Sequence, residues 1–269
     1  MTKLPFGEVL SESFSFFFAN LRLFFHLVTI PWIASLAIRV IGAMLAHDSL
    51  AAILIEKMLD AVPTVMFMVA WQRLVLLGPK RVDRLPGLGW SPRESAYLIH
   101  LVKIGGVTFL LIDAFIFTIG TLNPETIGMG VPADPEAARR QAMAAPLGAG
   151  FTISLLLALR VSFGLAATAV DVPFSPRLSW AYSRGNAWTI IGVLFLTFFV
   201  GAVATTAASL VALGLMRGLL GADSAAVLVT WLVAILVSYA GAGLAATVQA
   251  VIFRRLLAWR EGAPLPAPS

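Results

Sequence analysis

Long apolar runs broken by short polar stretches fill the chain, and the polar breaks recur. Ser175–Asn186 reads SPRLSWAYSRGN between two such runs, and Ser91 opens a partial copy, SPRESAY, 84 residues earlier. A further step of the same length lands on Gly7, where GEVLSESF keeps only the serine phase: Ser11, Ser95 and Ser179. Each copy precedes a long hydrophobic hairpin. The pattern predicts one unit used three times, a short helix lying at a membrane surface followed by two spans.

The first surface helix is predicted over 6–19, with Leu10, Phe14 and Phe17 (and Leu21 beyond them) on one face and Glu8, Ser11, Glu12 and Ser15 on the other. Asn20 then bends the chain into the first span. The second covers 91–98: Ser91 caps, Pro92 takes the first helical position and Glu94 completes a capping box. The third covers 176–185, capped by Ser175. The apolar runs predict spans at about 21–46, 61–78, 99–121, 147–170, 187–216 and 225–252, each able to supply the ~20 residues a crossing helix needs. Pro31 kinks the first. Glu56, Lys57 and Asp60 place the turn before the second at or above the outer surface. Residues 122–146 form the longest polar connection, with a short surface helix starting at Asp134-Pro135-Glu136, and the closing GAPLPAPS reads as a disordered tail.

Composition agrees with this layout. The 269 residues are 59% hydrophobic and 12% charged with mean hydropathy +0.91, where soluble domains run at about 45–50% and about 25%. The fold class expected is all-α: a polytopic membrane protein with six transmembrane helices in three hairpins, each preceded by a short interfacial helix. Net charge is +5. The basic residues gather in short loops beside the spans, so the expected partner is the anionic headgroup of membrane lipids, not nucleic acid. Lys3, Lys80, Arg81, Arg84, Arg93, Arg177, Arg184, Arg254, Arg255 and Arg260 fall on one side, which predicts both termini inside. The absence of cysteine excludes disulfides and thiolate chemistry. Glu8 and Glu12 within the first apolar stretch argue against a cleaved signal peptide.

Two ionisable residues fall deep in predicted spans, Asp113 and Arg160. A charge at the bilayer centre costs about 2.5–3.5 kcal/mol on insertion scales, so each should face protein or water. Counted from the outer span ends they differ by roughly 7 Å in depth, and Arg39 matches Asp113 better. Such a set serves either as a structural ion pair or as a proton- or ligand-linked site. Arg177, Trp180 and Arg184, at i, i+3 and i+7, are expected to share a face that contacts a lipid headgroup or a partner.

Small residues recur every fourth position in Ala158/Ser162/Ala166, Gly201/Thr205/Ser209, Ala204/Ala208/Ala212 and Ala234/Ser238/Ala242/Ala246/Ala250. Ladders of this kind let helices approach closely, within the bundle or against another subunit through the fifth and sixth spans. Trp71, Trp90, Trp180, Tyr182, Trp188 and Trp259 fall near the predicted inner span ends, where an aromatic belt is expected. His26, His47 and His100 sit in separate segments, and no catalytic, nucleotide-binding or metal motif accompanies them. No enzymatic activity, cofactor or metal is expected.

The segment FFFANLRLFF, the basic turn after the second span and the run SWAYSRGNAW resemble a group of bacterial six-span inner-membrane proteins. That group comprises the YciC-like proteins and the membrane domain attached to some glycerophosphodiester phosphodiesterases. Asn20, Ser179, Gly185 and Asn186 carry the resemblance, which implies a multi-pass protein of the bacterial inner membrane. No soluble catalytic domain is read in these residues, so phosphodiesterase activity is not carried over. Two roles are expected: an accessory or scaffold subunit of a membrane assembly, or a transporter or lipid-handling protein with a polar site near Asp113 and Arg160.

Overall fold

The computed structural model describes residues 3–45, 50–79, 89–120, 152–220 and 223–262. The His47–Ser49 turn, the basic turn at Lys80, Arg81 and Arg84, the connection 122–146 and the tail beyond Gly262 lie outside the described residues. Every element among the described residues is an α-helix: α1 Phe6–Ala19, α2 Leu21–Met44, α3 Leu50–Leu77, α4 Pro92–Gly120, α5 over 152–162, α6 Gly164–Ala169, α7 Pro176–Tyr182, α8 Ala187–Leu220 and α9 Asp223–Leu256.

Five stretches are long and apolar enough to cross a membrane: Leu21–Met44, Leu54–Leu77, Thr152–Ala169, Ala187–Leu219 and Ala225–Leu256. Their outward faces remain apolar, with Ile33, Ile41, Met58, Phe199, Leu210 and Leu219 exposed. An apolar surface this extensive needs lipid as its solvent. The chain is a helical, membrane-embedded protein.

Local chemistry explains the breaks between helices. Asn20 ends α1 with backbone angles of −113° and 24°, and its side-chain amide donates to the Phe16 carbonyl at 2.8 Å. That carbonyl also accepts from the Asn20 backbone amide at 3.1 Å, so backbone and side chain of one residue close the helix end together. At Ser91 the capping box forms: the Ser91 amide donates to Glu94 at 2.9 Å, the two side chains bond directly, and the Arg93 amide donates to Ser91 Oγ at 3.2 Å. Ser175 caps α7 by accepting from the Leu178 amide at 3.3 Å.

Three elements differ from the sequence expectation. Residues 91–98 are not a separate helix, because α4 runs unbroken from Pro92 to Gly120; no residue like Asn20 interrupts it. The expected fourth span breaks at Phe163, where Ser162 Oγ donates back to the Leu159 carbonyl at 3.0 Å and competes with the helical ladder. The helix expected from residue 61 begins at Leu50, which moves Glu56, Lys57 and Asp60 from a surface turn onto a helical wall.

Helix α9 is the hub, contacting α1, α2, α3, α6 and α8. Residues 243–253 are buried without interruption, the pattern of a helix enclosed on all sides. Phe17, Phe24, Phe67 and Trp71 pack there, with ring centroids 5.3–6.1 Å apart. Trp71 is fully buried and donates to Thr247 Oγ1 at 2.8 Å. Trp71 and the buried Trp259 therefore belong to the core and not to a lipid-facing belt, whereas Trp90, Trp180 and Trp188 are exposed.

The same end is tied by polar contacts. Gln72 Nε2 donates to Gln249 Oε1 at 2.8 Å inside the core. Asp171, at a positive φ of 59°, receives Arg93 at 2.7–3.0 Å and has Arg73 at 3.6 Å. Asn186 accepts from the Leu4 amide at 2.8 Å. Helix α1 lies with Val9, Ser13 and Phe17 inward, a stripe rotated from the one expected. The rotation lets Glu8 and Glu12 reach the end of α9: Arg255 meets Glu8 at 2.8 Å and Glu12 at 2.7 Å, and Arg254 also pairs with Glu12. Attraction to these arginines, rather than solvent, orients the acidic face of α1.

Candidate functional site

Away from α1 and α7, between the C-terminal part of α2 and the N-terminal part of α3, the helices separate around a cavity of about 290 Å³. Helix α2 contributes Ser35 and Arg39, α3 contributes Glu56, Lys57, Asp60 and Thr64, and α9 contributes Trp231, Ser238 and Tyr239. The spacing explains the convergence. Glu56, Asp60 and Thr64 recur at intervals of four on one face of α3, as do Ser35 and Arg39 on α2. Thr205 of α8 completes the wall.

Arg39 Nη1 donates to Glu56 Oε1 at 2.6 Å, and its guanidinium stands 5.6 Å from the centroid of the Trp231 ring. Pairing and aromatic contact together offset the desolvation of that cation. Lys57 Nζ lies 3.8 Å from the same Glu56 oxygen, but its side chain is 61% exposed, so it stands at the rim. Deeper in, Ser35 Oγ and the Tyr239 hydroxyl are 2.8 Å apart, and Thr64 Oγ1 donates to the Asp60 carbonyl at 2.8 Å. Asp60 Oδ1 is buried without a hydrogen-bond partner among the described residues. A carboxylate oxygen in that position costs free energy unless something supplies a donor.

The residues singled out from sequence distribute differently. Asp113 lies on α4, and its side chain is outside the described residues. Arg160 turns to α7: its Nε donates to Ser183 Oγ at 2.8 Å, and its guanidinium lies 3.4 Å from the centroid of the Trp180 ring. Arg177, Trp180 and Arg184 do not share one helical face. Helix α7 ends at Tyr182, where Ser183 Oγ bonds back to the Trp180 carbonyl at 3.0 Å, and Gly185 turns the chain at a φ of 77°. Arg177 and Arg184 are exposed, and Trp180 instead carries Arg160. Arg39 lines the cavity with its side chain 43% exposed and pairs with Glu56.

Gly164 makes the α6–α7 contact possible, since a Cβ there would stand 2.4 Å from Ser179 Oγ and 2.9 Å from Phe174 Cδ1. His100 bonds to Thr168 at 3.1 Å, and no cluster of three or more metal-ligating side chains occurs among the described residues.

Sequence reasoning missed Glu56, Asp60, Thr64, Ser35 and Tyr239. Their signal was present as polar residues at helical spacing within apolar runs, and the late start assigned to the second span concealed it. No family model, curated protein or solved structure matches the chain.

Proposed function

We propose that the chain is a six-span, non-enzymatic protein of the bacterial inner membrane, with both termini inside, that binds a small polar solute in the cavity between α2, α3, α8 and α9 as a transporter or lipid-handling protein. The observation that carries this reading is the cavity itself. Four charged side chains line a space within an apolar bundle, where charges are costly and mark solute or ion pathways. α4 supplies the remaining span: its 29 residues reach roughly 44 Å at 1.5 Å each, enough for a crossing. The basic residues at the α1 and α7 end support an inward position for that end. Helices α1 and α7 lie along the inner interface, and exposed Arg177 and Arg184 contact anionic headgroups there.

The accessory-subunit role drew on the small-residue ladders. Much of that surface is engaged within the chain: Gly201 meets Gly241, with the Cβ position of one 3.4 Å from Cα of the other, and Ala246 and Ala250 are fully buried. The solute-binding role gains a site instead. A membrane-impermeant maleimide applied to intact cells tests it, since Thr205→Cys would be the only thiol in the chain. Labelling from outside is expected; a cysteine reached only after the membrane is opened from the inner side would refute the orientation and the open mouth.

A further inference from the structure

We infer that the floor of this cavity receives a primary ammonium group, so that the solute is a small amine or the amine end of a zwitterion. The inference rests on the solute-binding reading and goes beyond it by naming the charge and chemistry of the ligand.

The charges in the cavity do not cancel locally. Glu56 is neutralised by Arg39 at 2.6 Å, and Lys57 leans on the same carboxylate from the rim at 3.8 Å. Asp60 has no such counter-ion among the described residues, and its Oδ1 is buried without a donor. Around it stand the hydroxyls of Ser35, Thr64 and Tyr239. An ammonium group carries three N–H donors and a positive charge. It gives Asp60 a charge-assisted bond and still has donors for hydroxyl oxygens that accept.

Size and donor set narrow the class. A space of about 290 Å³ takes a small organic molecule and is far larger than a bare ion. The described residues offer no group of three or more carboxylate, imidazole or thiolate ligands for a metal. Lys57, one helical turn from Asp60 and exposed at the mouth, suits the anionic end of a zwitterion.

The test uses the full chain carrying Ser238→Cys, purified in lipid nanodiscs. Ser238 lines the cavity and is exposed, and the natural sequence has no competing thiol. The rates of 2-aminoethyl and 2-sulfonatoethyl methanethiosulfonate are compared, each normalised to its rate with a free thiol. A local anionic site concentrates a cation by about tenfold or more, so the normalised ratio is expected to favour the aminoethyl reagent by that factor. Asp60→Asn should return the ratio to about one, and Lys57→Gln should raise it further. A ratio near one without these changes, or one favouring the sulfonate, overturns the inference and leaves the solute site standing. Failure of both reagents to react overturns the site and the inference together. Protection of the cysteine from a neutral reagent by ethylammonium, and not by sodium at equal ionic strength, identifies an amine. Equal protection by both would overturn that class.

Discussion

The two halves of α9 follow different rules. Residues 243–253 are enclosed on every side, and polar pairs cross that half: Trp71 with Thr247, Gln72 Nε2 with Gln249, and Arg254 and Arg255 with Glu8 and Glu12; Gln72 Oε1 alone in this set is buried without a partner among the described residues. Trp231 to Tyr239 face a cavity instead, where Asp60 Oδ1 is left without a donor. Close packing around paired polar side chains holds a fold together. A cavity lined by charged side chains, of which Asp60 has no counter-ion among the described residues, is where a ligand adds free energy, because the protein has already borne the cost of desolvating that charge.

Substitutions at matched positions should reveal this difference through thermal unfolding in detergent. The largest effect is expected at Trp71, where Trp71→Ala empties a fully packed site and frees Thr247, for a loss of about 3–5 kcal/mol. Trp231→Ala, at the cavity wall, should cost under about 1 kcal/mol, since most of its removed volume joins existing space. Gly164→Ala comes next at about 1–3 kcal/mol, because Ser179 and Phe174 must shift. Gly214→Ala, with nothing within 4 Å of its Cβ position, should be neutral or stabilising by up to about 1 kcal/mol. In the core glutamine pair, Gln72→Leu leaves Gln249 without its donor and should cost about 1–3 kcal/mol. Adding Gln249→Leu should recover most of that loss in a double-mutant cycle. The smallest change is expected at Asp60, where Asp60→Asn should alter stability by no more than about 0.5 kcal/mol or raise it, since a poorly satisfied carboxylate is removed.

The same contrast explains what could be read from sequence. Helical class, membrane embedding and the Ser91, Ser175 and Asn20 boundaries depend on apolar run length and on local capping chemistry, both visible in a single chain. The pairing of Glu8 and Glu12 depends on Arg254 and Arg255, more than 240 residues away, which no local pattern encodes. The cavity was half legible. Depth counting matches Arg39 with Asp113, whereas its partner in the structure is Glu56, which the sequence pattern places in a surface turn. Glu56, Asp60 and Thr64 share one helix only because α3 starts at Leu50, ahead of the apolar run that marks the span. Trp71 misled for a similar reason, since a tryptophan near a span end reads as a lipid anchor until Thr247 is seen facing it.

Ser238 and Ala246 give the most direct measurement of the central claim, being eight residues apart on the same ladder of α9. Each is replaced by cysteine in the otherwise cysteine-free chain, and both variants are exposed to one polar thiol reagent in native membranes. The account predicts rapid modification of Ser238→Cys and none of Ala246→Cys until the protein is unfolded. Equal protection of both, or faster modification at Ala246, would show that the cavity is not the water-accessible part of the bundle and would contradict the account.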